Sequence, residues 1–262
     1  MKPPLTYYGG KQLLSKLIVS LIPKHNIYCE PFFGGGAVFF AKPPSNIEVV
    51  NDNNGELINF YRVLKSDFKK LEKEIRCTLH SREYHQAAKI VLEYPHLFND
   101  VKRAWAIWTL ANESYASKLN GCWGYNKKVN KSARQLYSKR IFFTNEFAKR
   151  LELVQIENND ALKVINIWDN KDAFFYCDPP YINTNQGHYK GYSEEDFEKL
   201  LILLSNIKGK FILSSYPSDF LAKYVKQNKW FTKKVDVSLS LASNPKAKVK
   251  RKIEVLTANF RL

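Results

Sequence analysis

The chain has 262 residues, 45% of them hydrophobic, as expected of a globular protein with one core and room for a smaller inserted lobe. Its formal net charge of +16 predicts a polyanionic partner, and nucleic acid is the default choice. The four cysteines lie far apart, which excludes a paired zinc-ligand pattern and indicates reduced thiols in a cytoplasmic protein. The histidines are also scattered, so no metal site is expected.

Hydrophobic periodicity predicts strands that alternate with helices, which is the pattern of an α/β sheet. The apolar stretch 13–22 fits an amphipathic helix and is too short to span a bilayer, so no membrane association is expected. The stretch 66–116 is helical in pattern, and its tryptophans are expected in the core. The predicted strands are 27–30, 47–52, 154–160, 173–177, 210–214, 233–241 and 252–258. Further helices are predicted at 37–41, 54–64, 193–204 and from residue 218.

Two glycine-rich segments indicate a site for a nucleotide-like ligand. In residues 6–11 the glycines allow close backbone approach, and Lys11 at the start of the next helix can meet a carboxylate. Residues 27–36 read as a strand, a triple-glycine turn and the start of a helix, as in nucleotide-binding α/β folds. Asp52 follows at the distance where an acid binds ribose hydroxyls, and capping of the next helix is a compatible reading.

The segment Asp178-Pro179-Pro180-Tyr181 follows the apolar strand 173–177. Its prolines end the strand and stiffen the chain beyond the carboxyl end, where ligands gather in open α/β sheets. Asp178 and the Pro179 carbonyl can accept hydrogen bonds from an exocyclic amino group. Tyr181 can stack on the flat ring that carries this group, so the segment predicts chemistry on an amino-substituted base.

Residues 118–140 contain seven Lys or Arg and no acid, with aromatic residues among them. Basic groups neutralise phosphates and aromatic rings stack on or wedge between bases, so this stretch predicts a DNA-facing loop or hairpin. A second basic stretch, 244–252, is expected to grip backbone phosphates. The candidate DNA-binding residues are Asn120, Trp123, Tyr125, Asn126, Lys127, Lys128, Arg134, Lys246, Lys248, Lys250 and Arg251.

Together these motifs resemble those of the Dam-like, D12-class DNA adenine-N6 methyltransferases, which use S-adenosylmethionine (SAM). The tetrapeptide at 178–181 is similar to their catalytic motif, in which a first-position Asp is typical of adenine-N6 enzymes. Residues 8–11 and 30–36 match two segments of the SAM site in that family. The order of SAM loop, recognition region and catalytic motif is that of the family's alpha group.

The resemblance implies a Rossmann-like SAM-dependent methyltransferase sheet built from residues 1–62 and 150–262, with a mainly helical target-recognition lobe and basic hairpin at 63–149. It implies SAM as cofactor and a flipped adenine in double-stranded DNA as substrate. We expect a monomer, and a partner restriction endonuclease is compatible with the family. The implied catalytic residues are Asp178, Pro179, Pro180 and Tyr181. The implied cofactor contacts are Tyr7, Tyr8, Gly9, Lys11, Glu30, Phe32, Gly34, Gly36, Asp52, Asp160 and Asp178.

The sequence leaves the recognition site and several alternative activities open. Asn120-Gly121 and Tyr125-Asn126 match positions of the Dam hairpin, but Gly124 replaces an Arg of Dam and the next conserved segment of that hairpin is missing, so GATC is not assigned. Methylation of RNA adenine, DNA cytosine N4 or protein glutamine is an alternative on the same scaffold, although Asp178 disfavours glutamine. A non-catalytic DNA-binding protein is a further alternative, against which Asp52 and Asp178 argue.

Overall fold

The computed structural model describes residues 1–7, 9–181, 192–239 and 250–262, with the backbone alone at 237–239 and 250–252. Seven strands in these ranges form one sheet in the order β3-β2-β1-β4-β5-β7-β6, and β7 is antiparallel to both of its neighbours. This order confirms the predicted Rossmann-like α/β sheet with an antiparallel hairpin at its end. The strands are β1 (Ile27–Glu30), β2 (Ile47–Asn51), β3 (Gln155–Glu157), β4 (Ala173–Cys177), β5 (Lys210–Ser215), β6 (Phe231–Leu239) and β7 (Lys250–Ala258).

Helices cover both faces of the sheet. Successive residues of a strand point to opposite faces, so Phe174 packs into one hydrophobic cluster and Phe175 into the other. Because both faces are buried, β1 and β4 are nearly continuous apolar runs, and their predicted bounds are confirmed to the residue. The helices are α1 (Ser15–Leu21), α2 (Ala37–Ala41), α3 (Gly55–Ser66), α4 (Phe68–Cys77), α5 (Arg82–Glu93), α6 (Asp100–Glu113), α7 (Lys131–Phe142), α8 (Glu146–Leu151), α9 (Ala161–Trp168), α10 (Glu194–Asn206) and α11 (Asp219–Asn228).

Helices α4 to α7 form a lobe that shares one core with the sheet. Trp105 and Trp108 on α6 are buried in this core, as expected, and α3 packs along α6 between sheet and lobe. The predicted domain boundary at residues 62 and 63 therefore falls inside α3, not in a linker. Among the described residues, no helix has both the length and the apolar character needed to cross a bilayer.

The sequence predicted a loop or hairpin at 118–140, and the structure, which describes this stretch in full, has a loop followed by a helix. Antiparallel pairing around it is confined to the single bridge between Ser114 and Trp123, and residues from 131 onward belong to α7. The residues between 133 and 139 include Ala, Arg, Gln, Leu and Lys, which all favour helix, and Leu136 anchors the helix in the core. These residues therefore form a helix, because they favour helix locally and one of them is anchored in the core, although the family that the sequence resembles has a hairpin here.

Candidate active site

The carboxyl ends of β1 and β4 open onto one cavity, as expected for a parallel α/β sheet. The glycine turn after β1, the N-terminal segment and the chain after β4 form its walls. The cavity thus brings together residues that the sequence analysis assigned to catalysis and to cofactor binding. They are Tyr7, Gly9, Lys11, Glu30, Phe32, Gly34, Gly36, Asp178, Pro179, Pro180 and Tyr181. Tyr8 lies outside the described residues.

Asp178 is held in this cavity by an ion pair with Lys11. The lysine Nζ lies 2.8 Å from Asp178 Oδ1, and the lysine side chain is only 6% exposed. Burial raises the pKa of Asp178, while the ammonium of Lys11 and the hydroxyl of Tyr181 oppose this rise. Helix α1 begins at Ser15, so Lys11 belongs to the preceding turn and not to the helix start that the sequence predicted. Lys11 therefore favours the ionised form of the residue that the motif assigns to catalysis.

Glu254 and Tyr216 contact residues of the cavity wall and were missed by the sequence analysis. Glu254 Oε2 accepts a hydrogen bond from Tyr181 Oη at 3.3 Å and lies 3.8 Å from Lys11 Nζ. The Tyr216 ring meets the Tyr181 ring edge-on, with centroids 4.3 Å apart. The one local signal for Glu254 is an acid between the aliphatic residues 253 and 255 of β7. Its place beside Tyr181 depends on the sheet order, which the local sequence does not reveal.

The Tyr181 ring, which was predicted to stack on a base, already has a cation over one face. Lys11 Nζ lies 4.7 Å from the centroid of the Tyr181 ring, a distance at which the ammonium is attracted to the ring face. A base that stacks on this face therefore meets Lys11 as well as Asp178. The stacking role of Tyr181 stays a prediction.

The glycine turn after β1 is fastened to Asp52. The Gly34 amide donates to Asp52 Oδ2 and the Asn54 amide donates to Oδ1, both at 2.9 Å. Gly36 has φ of 66°, and a Cβ there would lie 2.7 Å from the Phe33 ring, so this position requires glycine. Asn54, and not Asp52, caps α3, because its side chain accepts from the amides of residues 56 and 57.

A second cavity of about 270 Å³ adjoins the first, and Phe32 and Pro180 line both. Asp52 and Asp160, two of the acids that the sequence analysis assigned to the cofactor, line this second cavity. Burial raises the pKa of Asp52 to about 6. Asp160 also caps α9, since its side chain accepts from the amide of residue 163 at 3.1 Å. The two adjoining cavities, with Phe32 and Pro180 in the wall of each, are called the cleft below.

Asn51, another residue that the sequence analysis missed, joins the two walls of the second cavity. Its Nδ2 donates to the Pro31 carbonyl at 2.9 Å and to the Asn159 carbonyl at 3.0 Å. Its Oδ1 accepts from the Asn159 amide at 2.9 Å, and the side chain is fully buried. This clamp fixes the glycine turn relative to the loop that carries Asp160.

Glu30 forms the buried acidic end of β1 in the first cavity. Tyr28 Oη donates to Glu30 Oε2 at 3.1 Å, and burial raises the pKa of Glu30 well above its usual range. The cleft is thus lined by glycine backbone, an aromatic side chain and several acidic side chains. This set suits a nucleoside with ribose hydroxyls and a positively charged tail. No group of three or more His, Cys, Asp or Glu side chains in the described ranges could hold a metal ion.

Some of the predicted DNA-binding residues in the loop before α7 make contacts within the protein, and others are exposed. Trp123 is anchored, because its Nε1 donates to the buried Glu113 at 3.1 Å and its ring lies against His80. Tyr125 stacks on Trp123 and is 51% exposed. Asn126 Oδ1 accepts from the amides of residues 128 and 129, so it stabilises its own turn. Asn120, Lys127 and Lys128 are exposed on the same loop.

Arg134 lies on α7 and lines a separate groove beside the N-terminal segment. Lys246 and Lys248 of the second basic stretch lie outside the described residues. The backbones of Lys250 and Arg251 belong to β7 and pair with residues 239 and 238 of β6. The phosphate-binding role of this stretch stays a prediction.

Comparison with known proteins agrees with this arrangement. The D12 class N6 adenine-specific DNA methyltransferase family matches residues 7–253 of the chain. The chain is 28% identical to a type II methyltransferase of Lactococcus lactis subsp. cremoris, over 85% of this chain and 84% of the relative. It is also 28% identical to a type II methyltransferase of Methanocaldococcus jannaschii, over 85% of this chain and 87% of the relative. Its identity to the DNA adenine methylase of Haemophilus influenzae is 26%, over 96% of this chain and 91% of the relative.

Proposed function

Because this chain belongs to the D12 class of N6 adenine-specific DNA methyltransferases, we propose that it transfers the methyl group of SAM to N6 of an adenine flipped out of double-stranded DNA. The observation that carries the proposal is the position of Asp178, at the end of β4 in a cleft that also contains the glycine turn and Asp52. The target base must leave the helix to reach such a recessed site.

Asp178 and the Pro179 carbonyl act on the amino group of the base. The N6 lone pair of adenine is delocalised into the ring, so the nitrogen is a poor nucleophile. Two hydrogen bonds from the amino group to these acceptors favour a pyramidal nitrogen and free its lone pair. The carboxylate then stabilises the positive charge that develops on N6, because it is already in place in a site shielded from water.

Lys11 keeps this carboxylate ready for the base. When the amino group of the base enters, it either shares Asp178 with the Lys11 ammonium or displaces the ammonium toward Glu254. Glu254 is 3.8 Å from Lys11 Nζ. In both cases a cation stays near Asp178 and favours its ionised form against the effect of burial. The ion pair with Lys11 therefore offsets the burial of the catalytic acid.

The rest of the cleft fits SAM, which supplies an electrophilic methyl group on a sulfonium when it is bound. Asp52 is placed to accept hydrogen bonds from ribose hydroxyls, and Asp160 lies farther along the cleft, toward the base of the nucleoside. The glycine turn lets the backbone approach the ligand closely. Phe32 lines both cavities and can pack against the middle of the ligand.

Replacing Asp52 with Asn is expected to weaken SAM binding by about 10-fold or more, because a hydrogen bond to a charged group contributes about 1.5–3 kcal/mol. Asn keeps an acceptor for only one of the two amides, Gly34 and Asn54, that bond to separate oxygens of Asp52. The measurement is the SAM dissociation constant by calorimetry. The control is Asp172→Asn, which changes an exposed acid just before the N-terminal end of β4, away from the cavity at the carboxyl end. Equal affinity in the Asp52 and Asp172 variants contradicts the ribose assignment.

The proposed activity is tested with purified protein, unmethylated double-stranded DNA and SAM labelled in its methyl group. We expect the label on adenine N6 within a defined sequence, identified by hydrolysis and by sequencing of N6-methyladenine. Label on cytosine N4, or transfer to RNA in preference to DNA, contradicts the proposal. Two relatives named as type II methyltransferases support a restriction–modification context, in which a nuclease with the same recognition sequence is the partner.

A further inference from the structure

A groove of about 1190 Å³ separates α7 from the N-terminal segment. One wall consists of α7 residues at positions 131, 134, 135, 138, 139 and 142, which is the spacing of a single helix face. The other wall includes Thr6 and Gln12. These two residues flank the segment that carries Tyr7 and Lys11 into the active-site cavity. The groove and the active-site cavity are therefore both lined by the N-terminal segment.

The long polar side chains on this face of α7 have no partner in the part of the chain that the structure describes. Lys131, Arg134, Gln135 and Lys139 make no side-chain hydrogen bond or ion pair with any other described residue. Lys139 is half-buried, and burial lowers its pKa to about 8. Buried charges are normally paired, so an unpaired, half-buried ammonium at the wall of an open groove suits an anionic ligand.

The opposite side of α7 is fixed to the lobe. Arg140 Nη1 donates to the carbonyls of Arg76 at 3.1 Å and Thr78 at 2.7 Å, and Leu136 is buried. The helix is thus held on one side and presents free donors on the other. No acid lies among residues 118–140, and Glu146, the one acid among the residues that line the groove, is paired with Lys149 at 2.8 Å.

We propose that the groove face of α7 enters the major groove of the substrate DNA and reads the bases beside the target adenine, with Arg134 and Gln135 as specificity-determining residues. This inference rests on the proposed function. An α-helix fits the major groove, where Arg pairs with two acceptors of guanine and Gln pairs with the donor and acceptor of adenine. Lys131 and Lys139 lie about one turn before and after this pair, where they can meet phosphates.

The contacts of the loop before α7 support the assignment of base recognition to the helix. Trp123 is anchored by Glu113, and Asn126 Oδ1 holds its own turn, so both are engaged in shaping the loop. Arg134 and Gln135 are both exposed, and their side chains make no hydrogen bond or ion pair within the described ranges. The loop therefore positions the start of α7, and the helix supplies the free hydrogen-bonding groups.

The experiment compares the sequences that wild-type protein and variants methylate in a DNA library with SAM as donor. Arg134→Ala should relax the preference for guanine at one position, and Gln135→Ala should relax the preference for adenine at another. In each case the discrimination should fall by about 5- to 150-fold, the effect of losing one bidentate base contact. Lys139→Ala should instead weaken binding to all sequences alike and reduce the salt slope by about 1.

Matched control variants distinguish the loss of a specific base contact from the loss of a positive charge and from damage to the fold. Lys73→Ala and Gln86→Ala change exposed residues of the same lobe that do not line the groove, and both should keep the wild-type sequence preference. Arg134→Lys keeps the charge but loses the forked donor, so it should behave like Arg134→Ala. If the wild type methylates a defined site and the variants of Arg134 and Gln135 keep full discrimination, the role of α7 is overturned while the proposed function stands. Wild-type protein that methylates no DNA contradicts the proposed function itself.

Discussion

Replacing Asp178 with Ala is expected to lower the rate of methyl transfer to DNA by about 10²- to 10³-fold or more, the size of effect seen when one preorganised electrostatic partner of a reacting group is removed. The loss should appear in the chemical step, because Asp178 acts on the amino nitrogen as charge develops there. The protein should stay folded, since Asp178 lies after β4 at the cavity and is not part of the hydrophobic core.

The rate is measured in single turnover, with enzyme, DNA and SAM mixed at saturating concentrations. Asp178→Asn serves as a second variant, because it keeps the side-chain volume and one acceptor while it removes the charge that holds Lys11. Asp172→Asn, at the other end of the same strand, should retain the wild-type rate. A single-turnover rate near that of the wild type in both Asp178 variants contradicts the role given to the carboxylate.

The sheet could be predicted from the sequence because its signals are local. A strand such as β4 is apolar at every position and ends at two prolines, so its bounds require no knowledge of its neighbours. The cavity residues after β1 and β4 could be predicted for a related reason. They belong to short segments at strand ends, and strand ends meet at one edge of a parallel sheet.

Contacts between distant segments could not be predicted in this way. Glu254 reaches Tyr181 only because β7 lies beside β5, and Asn51 joins two loops that are more than 100 residues apart in sequence. Helix α7 shows a different limit. Its residues favour a helix, but the resemblance to a family with a hairpin there led to the wrong element.

The sequence also did not identify the partner of Lys11. It indicated that the lysine can meet a carboxylate but not which carboxylate. The structure pairs Lys11 with Asp178, so the lysine can act on the catalytic acid as well as on a bound ligand. The two roles predict different kinetics. A contact to SAM alone changes the affinity for SAM, whereas a cation beside Asp178 changes the pH at which that acid is ionised.

Replacing Lys11 with Met is expected to move the acid limb of the single-turnover pH–rate profile upward by about 1–3 pH units, the usual effect of an opposite charge on a neighbouring acid. Burial raises the pKa of Asp178 and the Lys11 ammonium lowers it, so removing the ammonium leaves the effect of burial unopposed by this cation. More of the acid is then protonated at neutral pH and cannot accept from N6. The rate should fall at pH 7 and recover as the pH is raised.

This recovery at high pH distinguishes the effect on Asp178 from damage to the fold, which a higher pH does not repair. Lys11→Arg keeps the charge beside Asp178 and should keep an acid limb close to that of the wild type. Lys16→Met, which removes an exposed lysine of α1, should leave the profile unchanged. If Lys11→Met raises the dissociation constant for SAM but leaves the acid limb in place at saturating SAM, the lysine serves the cofactor and does not maintain the charge of Asp178.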